Sequence, residues 1–73
     1  MTDRGHLLTP RQMEVLRLAA EGLSSAQIGK ALGISGPSVN DHVSAAMARI
    51  GAKDRTHAVV LSGAWRPTGR EAE

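Results

Sequence analysis

The 73-residue chain contains no cysteine, phenylalanine or tyrosine, and its single aromatic residue is Trp65. Without cysteine, neither disulfides nor thiolate metal sites can stabilise it. That exclusion matters, because a chain this short buries only about 60% of the surface its unfolded form exposes, forms one core and needs further support. Regular helix packing and association with a second subunit are what remain. One aromatic cannot build the stacking platforms that hold RNA bases or single strands. No apolar run approaches the roughly 20 residues of a membrane span, and the start MTDRGHLLTP lacks a signal peptide's apolar segment, so a cytoplasmic protein without membrane contact is expected.

Acidic residues are scarce in the middle of the chain. Nine Lys/Arg against seven Asp/Glu give +2 overall, but Asp3, Glu71 and Glu73 lie in the ends. Between Arg4 and Arg66 stand eight basic and four acidic residues, a balance of +4 that suits an anionic partner. The histidines, His6, His42 and His57, have no metal-ligand spacing, and no nucleophile, base and acid stand in a catalytic arrangement. The sequence therefore implies neither an enzyme nor a cofactor or metal.

What is present is helix. Strand alternation, internal repeats and low-complexity tracts are missing, whereas four helical segments carry start and stop signals. In LTPRQ, Thr9 is the N-cap, Pro10 takes the first helical position and Gln12 completes a capping box, with Leu8 and Met13 as a hydrophobic staple. Met13, Leu16 and Ala20, flanked by Val15 and Ala19, keep helical spacing until Gly22. A second helix opens at Ser24 with Gln27 closing another box and ends at Gly33; a third is capped by Ser35, or by Gly36, and runs to Ile50 before Gly51. Asp54 caps a fourth, RTHAVVLSGAW, before Pro67. The expected organisation is a flexible end over residues 1–6, a folded domain over 7–66 and a polar tail over 67–73.

Two short helices joined by Gly33, Ile34 and Ser35, with Gly29 four residues before the turn glycine and Val39 six after it, have helix-turn-helix spacing. Gly29 lets the next helix cross closely, and Ile28, Leu32, Ile34 and Val39 supply the buried seam. In the third helix, Val39, Val43, Ala46 and Ile50 share one face with Met47 at its edge, while Asn40, Asp41, Ser44, Ala45 and Ala48 point away at ~100° per residue. Asn can bond adenine bidentately, Asp can accept from cytosine, Ser can serve either base, and Ala45 can meet a thymine methyl. Lys30, Arg49, Lys53 and Arg55 are the cations available for phosphates.

LTPRQMEVLRLAAEGLSSAQIGKALGIS followed by SVNDHVSAAMARIGAKDRTHAVV closely resembles the LuxR-type (GerE-type) DNA-binding domain, from residue 7 to about 65. The agreement runs through Leu8-Thr9-Pro10-Arg11, Glu14-Val15-Leu16, Glu21-Gly22, Leu32-Gly33-Ile34-Ser35, Val39, His42, Gly51 and Ala58-Val59. The resemblance implies an all-α, four-helix helix-turn-helix domain, in a stand-alone form. Its third helix, about residues 36–50, would enter the major groove of double-stranded DNA, and its fourth would form a homodimer. It further implies that positions matching Asn40, Asp41 and Ser44 face base edges and that those matching Ser38 and His42 lie near phosphates; by their place on the helix, Ala45 is added to the first set and Ser35 to the second.

One departure from the family stands out. Many family members carry Lys or Arg at positions matching Asn40 or Val43, so this third helix is poor in charge, and Asp41 must lose water near phosphates. A second reading therefore stays open: an interaction module that contacts RNA polymerase or another regulator, with weak or no DNA binding. In the fourth helix, an inward stripe of Ala58, Leu61, Ser62 and Trp65 leaves Val59, Val60 and Gly63 for a dimer interface.

Overall fold

The computed structural model describes residues 4–66, and among them lie four α-helices and no strand: α1 (Pro10–Ala20), α2 (Ser25–Leu32), α3 (Gly36–Ile50) and α4 (Arg55–Ser62). Each helix begins where a side chain satisfies N–H groups that the helix cannot bond itself. At α1 the Thr9 hydroxyl accepts from the Gln12 N–H at 3.1 Å and the Gln12 side chain accepts from the Thr9 N–H at 3.0 Å. Ser24 and Gln27 repeat this reciprocal pair at α2, at 3.2 and 2.8 Å. Ser35, not Gly36, caps α3, accepting from the Ser38 N–H at 3.2 Å, and Asp54 caps α4 through the His57 N–H at 2.8 Å. Each cap contributes about 1 kcal/mol.

The packing centres on α3. Its Val39 and Val43 join Val15 and Ile28 in one buried cluster, while its Ala46 and Ile50 join Leu16, Ala58 and Ala64 in a second, and Met47 touches both. Neighbours Val15 and Leu16 thus send α1 into both clusters, and the fully buried Leu16 and Ile28 each contribute roughly 1.5–3 kcal/mol. The turn between α2 and α3 is tight. A Cβ on Gly29 would stand 2.5 Å from the Ile34 carbonyl oxygen and 3.2 Å from the Ser35 carbonyl carbon, so only glycine fits without movement of the backbone.

One expectation is corrected. The fourth helix ends at Ser62 instead of reaching Trp65: Gly63 takes φ 75°, and the Ala64 N–H returns to the Val59 carbonyl at 3.2 Å. Ala64, 4% exposed, then plugs the core where Trp65 was expected, and Trp65 is 56% exposed with the Arg66 guanidinium 5.3 Å from its ring centre. At the other end, Arg4 is bonded to the domain. Gly5–Leu7 form a 3-10 turn, the Arg4 N–H donates to the Leu61 carbonyl at 2.6 Å, and its Nη1 donates to the Ile50 carbonyl at 2.7 Å. A cation is favourable there, because the C-terminal end of α3 carries partial negative charge. Residues 1–3 and the tail 67–73 lie outside the described residues.

Candidate nucleic-acid interface

The face of α3 turned away from both clusters carries Asn40, Asp41, Ser44, Ala45 and Ala48, all exposed. Its opposite face, Val39, Val43, Ala46 and Ile50, is buried, so α3 is held along one side and free along the other. Ser38 and His42 sit half-buried at the flank, and Ser35 is exposed at the helix start with its hydroxyl engaged as the cap. The outward surface is small and polar, with Asp41 as its one charge. Among the described residues, Asp41 makes no ion pair or side-chain hydrogen bond, whereas Asn40 Oδ1 accepts from the Ser25 hydroxyl at 2.6 Å.

The four cations assigned to phosphates divide into two pairs. Lys30 and Lys53 are exposed, and their ammonium groups have no partner among the described residues. Arg49 and Arg55 are engaged within the chain. Arg49 Nε donates to the Leu7 carbonyl at 2.9 Å; Arg55 donates through Nη2 to the Leu23 carbonyl at 2.8 Å and through Nη1 to the Ser25 hydroxyl at 3.1 Å. Their charges still contribute to the local field, but these donors hold the fold. Near Lys53 the turn into α4 is fixed by His57, whose Nδ1 accepts from the Lys53 N–H at 3.0 Å.

The three residues assigned to a dimer interface also separate. Val60 is 56% exposed, Val59 is half-buried and packs on the Leu16 cluster, and Gly63 is buried as the cap that ends α4. Gly63 therefore serves the monomer's own closure, and exposed apolar surface on this helix centres on Val60. An open cleft beside it, lined by Ala19, Ala20, Arg55, Thr56 and Val59, contains no convergent acid, base or nucleophile.

Sequence reasoning missed Arg4 and Ser25. Arg4 reaches 46 residues along the chain to its acceptor, and Ser25 reaches 15 to Asn40, so no local pattern marks either. Among the described residues no group of three His, Cys, Asp or Glu could hold a metal ion, and no helix is long and apolar enough to cross a membrane.

A family model described as bacterial regulatory proteins, luxR family, matches residues 6–62. Over 57 residues the chain is 47% identical to the transcriptional regulatory protein DegU of Brevibacillus brevis, a match covering 78% of this chain and 24% of that protein. It is 42% identical over 55 residues to the transcriptional activator protein BjaR1 of Bradyrhizobium diazoefficiens, covering 75% of this chain and 23% of that protein. Identity to the response regulator protein VraR of Staphylococcus aureus is 41% over 56 residues, 77% of this chain and 27% of that protein. The chain thus spans about a quarter of the length of the curated relatives it matches.

Proposed function

This chain belongs to the luxR family of bacterial regulatory proteins, and from that premise we propose that it is a sequence-specific DNA-binding transcriptional regulator, not an enzyme, acting in the cytoplasm where promoter DNA lies. The observation that carries the reading is the two-sided α3: Val39, Val43, Ala46 and Ile50 locked inside, with Asn40, Asp41, Ser44 and Ala45 exposed along one edge that a major groove can admit. Relatives named as transcriptional regulators, one of them an activator, support it.

Attraction and reading are separate in this surface. Lys30 and Lys53 supply free charge for phosphates, and Ser38, His42 and the N-terminal end of α3 supply donors, the Ser35 hydroxyl itself donating inside the chain to Ser38 Oγ at 3.0 Å. Arg49 adds charge from its place against Leu7, and Arg55 adds charge while bracing α2. Asn40, Asp41, Ser44 and Ala45 do the reading. Apolar Val60, with the exposed edge of Val59, supports a two-fold pairing through α4, which would set two α3 helices about one DNA turn, ~34 Å, apart. The folded unit spans residues 7–66, with Arg4 bonded to it ahead of its start.

Titration of duplex fragments at low and moderate salt tests the proposal. A DNA reader loses affinity steeply as salt rises, because phosphate neutralisation releases counterions. Absence of binding at both salts would instead favour a helix-turn-helix module that contacts RNA polymerase or another regulator.

A further inference from the structure

We propose that Ser25 and Arg55 are positioning residues that fix the polarity of the Asn40 amide, so that Asn40 offers donors to the groove and selects guanine. This rests on the DNA reading above and deepens it. Three helices meet in one run of hydrogen bonds: Arg55 at the start of α4 donates through Nη1 to Ser25 Oγ at 3.1 Å, and Ser25 at the start of α2 donates to Asn40 Oδ1 on α3 at 2.6 Å. Arg55 is itself anchored, because Nη2 donates to the Leu23 carbonyl at 2.8 Å.

The direction of that run follows from chemistry. A guanidinium has donors only, so at its junction the Ser25 oxygen must accept. A hydroxyl that accepts from a cation becomes a stronger donor, and its proton takes the near acceptor Oδ1. Turning the amide over would set Nδ2 against the same oxygen and take that acceptor from the Ser25 proton. Asn40 therefore directs oxygen toward α2 and keeps its two Nδ2 protons for the exposed side. Adenine needs both ends of an amide, an acceptor for its N6 amine and a donor for N7, whereas guanine shows two acceptors, N7 and O6, to the groove. The Ser25 bond takes one of the two lone pairs of Oδ1 and draws that oxygen toward α2, which favours a contact through the Nδ2 donors over the two-ended adenine pairing expected from the residue type alone.

Two measurements test this. In the free full chain, hydrogen exchange of the Asn40 side-chain amide should show both Nδ2 protons exchanging rapidly with water; one protected Nδ2 proton overturns the polarity. Site selection from random duplexes should then give guanine at the position whose preference disappears in Asn40→Ala. Ser25→Ala should reduce guanine-over-adenine discrimination at that position by about tenfold, and Ser25→Thr, which keeps a hydroxyl, should restore it. Adenine at that position in the wild type, or a Ser25→Ala variant with unchanged preference, overturns the proposal. If no sequence is selected at all while both protons exchange freely, the DNA assignment is what fails, and Asn40 loses its reading role with it.

Discussion

At the residue scale the account turns on Gly29 and Asp41. Gly29 sits where the two helices of the turn nearly touch, with no room for a Cβ between it and the Ile34 carbonyl. Gly29→Val places three further carbons in that space, and the expected loss is about 3 kcal/mol. A thermal melt reads this as a fall of well over 4 °C for a domain of this size, and an unchanged melting temperature would contradict the close approach. Asp41 is exposed and unpaired among the described residues, so its carboxylate is free to accept from a base and is repelled by phosphate. Asp41→Asn should raise affinity for all duplexes while discrimination at one base pair falls by roughly tenfold. Competition binding measures both quantities, and a uniform loss of affinity would mean that Asp41 orients the helix and reads nothing.

At the scale of elements, the starts of helices are the most local feature and were the most legible. Thr9, Ser24, Ser35 and Asp54 each bond within three residues of themselves, so sequence spacing alone places them. Ser35→Ala leaves the Ser38 N–H without its partner and should cost about 1 kcal/mol in urea unfolding; no change would return the cap to Gly36. The inward face of α3 was readable for the same reason, since a period of 3.6 separates Val39, Val43, Ala46 and Ile50 from Asn40, Asp41 and Ser44. The end of α4 was not. A glycine inside an apolar helical pattern can be carried through or can stop the helix, and at Gly63 the outcome depends on Ala64 entering a core built by Leu16 and Ile50, which lie far away in sequence. Arg4, Arg49 and Arg55 show the same limit: nothing in their spacing marks an internal acceptor, but each donates to a carbonyl more than 30 residues distant.

At the scale of the whole molecule, the described residues combine an exposed polar edge on α3, two exposed lysines without partners among those residues and an apolar spot at Val60 on α4. If Val60 lies at a two-fold contact, Val60→Arg should shift the sedimentation coefficient to that of a monomer and lower affinity for a two-half-site duplex, with single half-site binding retained. A wild-type chain that is monomeric at high concentration would contradict the pairing. The most direct test of the central claim is a nitrogen-labelled titration of the protein with a selected duplex. The account predicts that the amides of Asn40, Asp41, Ser44 and Ala45 move most, with Lys53 and Ser38 at the margin of the footprint. Perturbation confined to α1 or α4, with those four amides unmoved at saturation, would contradict it.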